Sequence, residues 1–187
     1  RWCGGIGLAA LLLCAVGYAA NPVQFHHSWL AAFFFVISIA LGALIFTMIL
    51  HLTGATWSVP VRRLFENLAA PMPLFFILFL PVLSGVHELY HWSHGEAVAK
   101  DPLLQLKAPY LNQAFFAVRT VIYFAVWTFL ACRLRRLSLQ QDEGDDHSER
   151  LRRTSAAGVI LFALTLTFAA FDWFMSLDAH WYSTIFG

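Results

Sequence analysis

The sequence predicts an all-α fold, a polytopic bundle of transmembrane helices, on three observations. Hydrophobic residues make up 59% of the 187 residues and charged residues only 12%, about half the charged share of a typical soluble domain. The apolar residues stand in stretches of about 20, the length with which a helix crosses a bilayer. These stretches are much longer than the roughly 10 residues of a transmembrane barrel strand. The composition therefore excludes a disordered chain, a collagen-like fibre and an ordinary cytosolic enzyme.

Five apolar stretches are the predicted spans. In chain order they are Trp2–Ala20, Ser28–Leu52, Leu68–Leu89, Tyr110–Cys132 and Ser155–Met175. The first resembles the apolar core of a signal peptide but lacks a good cleavage site of small residues. We therefore expect it to be a transmembrane helix that is clipped at its start. The final segment, Trp181–Gly187, is a candidate for the opening of a sixth span.

The last three spans contain residues that interrupt a plain apolar helix. Pro71, Pro73 and Pro81 predict a bent third span, because a proline inside a helix removes a hydrogen bond and crowds the preceding turn. The fourth span contains Arg119 and the fifth contains Asp172. A charge at membrane depth is costly and normally has a partner. Because their depths are compatible, we expect these two residues to pair, either as a lock between helices or as part of a proton path.

The basic residues predict the orientation of the spans. Nine of the twelve lysines and arginines fall on one side when the connections alternate: Arg1, Arg62, Arg63, Arg133, Arg135, Arg136, Arg150, Arg152 and Arg153. By the positive-inside rule this side, with the N-terminus, is cytoplasmic. The segment 133–154 is then the longest cytoplasmic loop, and 21–27, 90–109 and 176–181 face outward. The net charge of +1 gives no indication of a nucleic-acid partner, and we expect none.

The sequence predicts that this chain binds no redox cofactor of its own. Cys3, Cys14 and Cys132 lie in apolar stretches without C-x-x-C spacing, so neither a disulfide framework nor a zinc knuckle is indicated. No C-x-x-C-H motif is present to attach a c-type haem. His51 has no second histidine at its depth to complete a bis-histidine haem site.

Most of the histidines gather at the outer ends of the predicted spans: His26, His27, His87, His91, His94 and His180. Ionisable groups at membrane depth usually face the interior of a bundle or line a pathway. The candidates for a proton path at the outer level are Asp172, Arg119, His87, Glu88, Asp178 and His180. His51 and Glu66, near the opposite ends of their spans, are candidates for an inner entry.

The segment from His87 to His91 matches the pattern H-E-x-x-H. On a continuous helix, His87 and His91 would share a face and could bind zinc, with Glu88 as the general base of a membrane metalloprotease. Two alternatives stay open for the same residues. They could form hydrogen bonds and exchange protons at the membrane surface, or they could simply anchor the span at the interface.

Several segments resemble one family of membrane proteins. They are His51–Trp57 (HLTGATW), which is followed by Arg62, Arg63 and Glu66, Leu106–Asn112 (LKAPYLN), Phe115–Arg119 (FFAVR) and the closing Asp172–Gly187 (DWFMSLDAHWYSTIFG). These segments are similar to ActF, an integral membrane subunit family of alternative complex III, a bacterial quinol:cytochrome c oxidoreductase. The family is related to polysulfide-reductase-type, NrfD-like membrane anchors. The resemblance extends from about Trp29 to Gly187.

The resemblance implies that the chain is one transmembrane domain, the N-terminal half of a longer subunit, in which spans two to five form a four-helix bundle. It implies a place in the bacterial inner membrane beside an NrfD-like subunit, an iron–sulfur subunit and haem c subunits, with a cytochrome or terminal oxidase as electron acceptor. This chain would support quinol-linked electron transfer and proton passage, with the ionisable residues named above as proton-path or quinone contacts. The alternatives are the zinc metalloprotease above and a purely structural membrane anchor.

Overall fold

The computed structural model describes residues 2–55, 57, 59–144 and 146–183, and every regular element within them is a helix. The α-helices are α1 Trp2–Ala20, α2 Pro22–Thr53, α3 Val59–Ala69, α4 Met72–Ser84, α5 Val86–Leu89, α6 Gly95–Lys100, α7 Pro102–Lys107, α8 Gln113–Asp142 and α9 Ser148–Trp173. Two short 3₁₀ turns cover His91–Ser93 and Met175–Leu177. The prediction of an all-α bundle is confirmed.

Four segments of the described chain are long and apolar enough to cross a membrane: Pro22–Thr53, Pro60–Ser84, Gln113–Asp142 and Ser148–Leu177. They correspond to the second to fifth predicted spans, and the chain is a multi-pass membrane protein. Helix α1 covers the first predicted span, but its apolar part is shorter. Arg1 and the end of the possible sixth span, residues 184–187, lie outside the described residues, as does the side chain of Cys3. Cys14 and Cys132 are free thiols.

Two of the long helices, α2 and α8, begin at capping residues rather than at the edges of the apolar stretches. Asn21 accepts a hydrogen bond from the Gln24 N–H at 3.1 Å, so α2 begins at Pro22 instead of Ser28. Asn112 accepts one from the Phe115 N–H at 2.9 Å and starts α8. At its other end α2 stops at Gly54, which adopts the left-handed conformation with φ of 61°.

The predicted loop 133–154 is largely helical. Helix α8 continues to Asp142 and α9 begins at Ser148, so only the short segment 143–147 joins them, of which residue 145 is outside the described part. Leu134 and Leu137 are buried in the extension of α8. Hydropathy marks where a span leaves the lipid, whereas the helix continues because these residues are good helix formers that still pack on the bundle.

The third span is interrupted, as its prolines predict. Helix α3 ends at Ala69 and α4 begins at Met72, with Pro71 at the junction. Pro81 lies inside α4, which ends at Ser84, and Gly85 separates it from α5. The break divides the span into an amphipathic half and an apolar half.

Contacts between the connections define two ends of the bundle. One end, the arginine end, contains the ends of α2 and α8 and the starts of α3 and α9. There Arg63 donates to the Ser138 carbonyl at 3.0 Å and pairs with Asp142. At the histidine end, Lys107 donates to the Ala179 carbonyl at 2.5 Å. The spans therefore alternate in direction. The segments at the arginine end are the predicted inner ones, and those at the histidine end are the predicted outer ones. The side of the membrane on which each end lies stays a prediction.

A cluster of aromatic rings fills the core towards the histidine end. Trp173 is at its centre, with ring centroids 4.5 Å from Phe79 and 5.7 Å from both Phe124 and Trp127. The Trp173 indole N–H donates to the Thr120 hydroxyl at 3.2 Å. Since Trp173 follows Asp172 directly, this packing fixes the end of α9 against α8 and positions the charged pair.

Candidate functional site

Arg119 and Asp172 form a buried ion pair between α8 and α9. Arg119 Nε lies 2.7 Å from Asp172 Oδ2, and Nη2 lies 2.9 Å from Oδ1. Asp172 is 0% exposed and Arg119 is 7% exposed. The antiparallel helices place a residue near the start of α8 beside one near the end of α9. The predicted pairing is confirmed, while its part in a proton path stays a prediction.

Further donors complete the site around the carboxylate. The Tyr123 hydroxyl, one helical turn after Arg119, donates to Asp172 Oδ2 at 2.6 Å, and the Ser176 hydroxyl donates to the Asp172 carbonyl. Arg119 Nη1 donates to the Tyr110 carbonyl at 3.0 Å. The guanidinium carbon also lies 3.9 Å from the centre of the Tyr110 ring and 4.2 Å from that of Phe115, a cation–π arrangement. The pair is therefore held from α8, α9 and both adjoining loops.

From the sequence, only Asp172 was predicted as a partner of Arg119. Tyr123 could have been found from its spacing of one helical turn from Arg119, whereas helical spacing could not indicate Tyr110 and Ser176. Both lie outside the long helices, in the loop before α8 and the 3₁₀ turn after α9. Periodicity cannot place such residues. The usable signal was their closeness in sequence to Arg119 and Asp172.

Two tyrosines beside the site, both outside the spans, keep their protons. Burial raises the pKa of Tyr90, and the Asp172 charge raises it further; the Tyr90 hydroxyl donates to the Trp173 carbonyl at 2.9 Å. Burial, followed by the Asp172 charge, raises the pKa of Tyr110 to about 12. At neutral pH both phenols are therefore protonated and do not act as bases.

A cavity of about 360 Å³ opens beside the ion pair. Tyr110 and Ser176, which both contact the pair, are in its lining, together with Lys107, Phe168 and Trp181. The cavity leads from the surface at the histidine end to the residues that hold Arg119 and Asp172.

The H-E-x-x-H residues do not share one helical face. Helix α5 ends at Leu89, Tyr90 is extended, and His91 begins a 3₁₀ turn. His87 is instead bound by the Gln113 amide at 3.1 Å and forms a hydrogen bond of 3.3 Å with Ser93. Within the described part of the chain, no three His, Cys, Asp or Glu side chains are grouped to hold a metal ion.

His87, Glu88 and His91 lie at the surface of the histidine end, where an open groove of about 900 Å³ is lined by His87, His91 and His94. The rings of His87 and His94 are 5.4 Å apart. The described residues show no hydrogen bond or ion pair that connects these side chains to Arg119 or Asp172. Any proton transfer between the two groups needs intervening water.

Asp178 and His180 form a second surface group. His180 Nε2 lies 2.6 Å from Asp101 and Nδ1 lies 3.9 Å from Asp178. The slight burial of Asp101 favours a higher pKa, but backbone hydrogen bonds from Leu103 and Leu104 and the His180 charge hold its pKa below the usual value. The contact between Asp101 and His180 connects the residue before α7 to the segment after α9.

The two residues of the predicted inner entry, Glu66 and His51, are not hydrogen-bonded to each other in the described chain. Glu66 is buried and pairs with Arg62 at 3.5 Å and with Arg63 at 2.5 Å. His51 Nε2 is also buried but has no hydrogen-bond partner among the described residues. Glu66 thus belongs to an arginine cluster that connects α3 to α8. His51 lies within reach of the Arg62 charge but forms no hydrogen bond with the cluster among the described residues.

No family model and no curated protein matches this chain. The proposed function therefore depends on the buried ion pair, the residues around it and the resemblance of several segments to the family named above.

Proposed function

We propose that this chain is an integral membrane subunit of a respiratory quinol:cytochrome c oxidoreductase of the alternative complex III type. It lies in the bacterial inner membrane with its N-terminus in the cytoplasm, beside an NrfD-like subunit and subunits that carry iron–sulfur clusters and haem c. It supports quinol-linked electron transfer by passing protons and holds no redox cofactor itself. The sequence resemblance and the multi-pass helical fold support this assignment.

The observation that carries the proposal is the buried group of Arg119, Asp172 and Tyr123. Quinol oxidation releases protons together with electrons, and the protons need bases within hydrogen-bond reach. Asp172 is a buried carboxylate at the histidine end, and two residues that contact the ion pair, Tyr110 and Ser176, line a cavity of the described chain. A buried acid that pairs with an arginine is also typical of proton pathways in membrane proteins.

The geometry indicates how a proton would move through this group. Protonation of Asp172 Oδ2 removes the charge that binds Arg119 Nε and converts the Tyr123 hydroxyl from a donor to an acceptor. Arg119 keeps its contacts with the Tyr110 carbonyl and ring, so its charge stays held while Asp172 is neutral. Loss of the proton restores the ion pair, and the proton leaves towards the cavity at Tyr110 and Ser176.

The test is Asp172→Asn in the intact complex, purified with its partner subunits from membranes. We expect quinol oxidation coupled to proton release to fall by roughly 100-fold per assembled complex, because proton transfer by a positioned group contributes about 10² to 10⁴. Glu96→Gln is the matched control, since Glu96 is a surface carboxylate at the same end and is not a candidate for the proton path.

The alternative of a structural anchor gives a different result. Asp172→Asn would then reduce the amount of assembled complex and leave turnover per complex unchanged. The subunit assignment has a test of its own. If no haem or iron–sulfur polypeptide co-purifies with the full-length subunit, membership of the complex is wrong.

A further inference from the structure

Five arginines at the arginine end are not used in the ion pairs of the fold. Three lie near the end of α8 and two near the start of α9: Arg133, Arg135, Arg136, Arg150 and Arg152. Their side chains form no ion pair or hydrogen bond among the described residues. Arg135 is half-buried and the other four are exposed. This end of the bundle therefore presents a group of positive charges without internal partners.

Three of the nearby carboxylates already have partners of their own. Asp142 pairs with Arg62 and Arg63 of α3. Asp146 accepts a hydrogen bond from the Ser148 N–H at 3.0 Å, at the start of α9. Glu149 pairs with Arg153 at 2.8 Å. These acids therefore do not neutralise the five arginines, whose charge is available to an anion from outside the chain.

Two of the five arginines lie on matching faces of α8 and α9. Arg133 is 18 residues after Phe115 on α8, and Arg150 is 18 residues before Phe168 on α9. Because 18 residues make five helical turns, each arginine shares a face of its helix with that phenylalanine. The position of the phenylalanines therefore shows where the arginines lie around the bundle.

Both phenylalanines lie where α8 and α9 meet at the surface of the bundle. Phe115 contacts the Arg119 guanidinium at 4.2 Å, and Phe168 lines the cavity beside the same ion pair. Both side chains are also exposed. Arg133 and Arg150 therefore lie at the opposite end of the same surface boundary, which we call the α8–α9 boundary.

The depth of Arg133 is that of lipid headgroups. It lies 20 residues after Gln113, the first residue of α8, which is about 30 Å along the helix and matches the hydrocarbon thickness of a bilayer. Leu130 lies against Gly158, and this antiparallel register places Arg150 about two turns farther out. A long arginine side chain can cover that distance and return its charge to the headgroup level.

These features select the chemistry of the occupant. A phosphate accepts paired hydrogen bonds from guanidinium groups, and the exposed side chains of Phe129 and Leu161 provide an apolar surface for acyl chains. A headgroup that also carries a cation would be repelled by the surrounding arginines. We propose that the arginine end of the α8–α9 boundary binds the phosphate of an anionic phospholipid, with Arg133 and Arg150 as its donors.

The experiment measures one-to-one lipid complexes by native mass spectrometry of the full chain in an uncharged detergent. The probes are phosphatidylglycerol and phosphatidylcholine with the same acyl chains. We expect phosphatidylglycerol to bind more tightly. Arg133→Gln and Arg150→Gln should each weaken its binding about fivefold, the contribution of one arginine near an anionic lipid. Neither substitution should change the binding of phosphatidylcholine.

The matched controls are Arg135→Gln and Arg152→Gln. Each removes an unpaired arginine two residues from a proposed donor, on a face turned by roughly 200°. These variants should weaken the binding of phosphatidylglycerol less than twofold. Arg133 and Arg150 are exposed, so their substitution should leave the fold intact. Thermal unfolding of each variant checks this, and each donor variant tests the site independently of the other.

Three results would overturn the inference. Equal binding of the two lipids to the unmodified chain would mean that the headgroup charge is not recognised. Equal losses in all four arginine variants would mean that only the net charge attracts the lipid. If soluble glycerol 3-phosphate displaces phosphatidylglycerol at equal concentration, the arginines bind a free phosphate ester and not a lipid.

Discussion

Arg119 and Asp172, which are 53 residues apart in the chain, face each other through two near-parallel hydrogen bonds of 2.7 and 2.9 Å. A forked guanidinium matches a carboxylate in this geometry, which is stronger and more directional than a single contact. Because the pair is buried within a membrane bundle, water cannot replace either partner. Its stability therefore depends on the presence of both charges.

We expect that removal of one charge is worse than removal of both. Arg119→Met or Asp172→Leu alone should lower the free energy of unfolding by about 3–5 kcal/mol, because each leaves an unpaired buried charge. The double variant should lose less than either single variant. The measurement is denaturant unfolding of the four proteins in one detergent. Additive losses would contradict the role of the pair as one unit.

The Tyr123 hydroxyl should contribute separately. Tyr123→Phe removes its bond of 2.6 Å to Asp172 Oδ2, and a hydrogen bond to a charged group contributes about 1.5–3 kcal/mol. We expect a loss of that size in the same unfolding assay. Tyr182→Phe is the control, since Tyr182 is 77% exposed and should change stability by less than about 0.5 kcal/mol. Equal effects of the two substitutions would show that the Tyr123 hydroxyl is not a significant partner.

The membrane spans could be predicted from the sequence because one physical quantity, hydropathy, decides where they lie. Hydropathy alone identified the spans, because lipid requires about 20 apolar residues whatever their neighbours are. It misplaced their ends, since Asn21 and Asn112 start helices by local capping, beyond the reach of hydropathy. The pairing of Arg119 with Asp172 was predictable because an unpaired charge at that depth is too costly.

The rest of the site depends on tertiary packing that no local pattern shows. The H-E-x-x-H pattern assumed a continuous helix, but the chain turns at Tyr90, whose hydroxyl is bonded to the Trp173 carbonyl of another span. The position of His26 against Gly85 likewise depends on how α2 meets α4. Because such contacts join residues far apart in the chain, the sequence predicted candidate site residues but not which of them lie together.

The arginine cluster should show the difference between buried and exposed ion pairs. Glu66→Gln removes the buried charge that pairs with Arg62 and Arg63 but leaves both arginines paired with Asp142. We therefore expect a loss of about 1.5–3 kcal/mol of unfolding free energy, the contribution of a hydrogen bond to a charged group. Glu149→Gln is the matched control, because the Glu149–Arg153 pair is exposed and such pairs contribute about 0.3–0.5 kcal/mol. Unfolding with and without 1 M salt separates them further, since salt screens exposed charges most, with a Debye length of about 3 Å at 1 M. Similar losses for both variants would contradict a structural role for the buried Glu66.

Stability at alkaline pH should report on Tyr110, which lies outside the spans. Its pKa is raised from 10.0 to about 12 in the folded protein, by burial and then by the Asp172 charge. Below pH 10 the phenol is neutral in both states, so its contribution to stability is fully present. As the pH rises from 10 to about 12, the unfolded state loses the proton first and the contribution disappears.

Tyr110→Phe has no such proton, so its unfolding free energy should fall less steeply than that of the unmodified protein between about pH 10 and 12. The other tyrosines are the same in both proteins, so their contributions cancel in the comparison. Tyr182→Phe, which leaves Tyr110 in place, is the control, and absorbance at alkaline pH would follow phenolate formation directly. Identical slopes for Tyr110→Phe and the unmodified protein would mean that Tyr110 ionises as freely as a surface tyrosine. The contact of its ring with the Arg119 guanidinium would then not be a buried one.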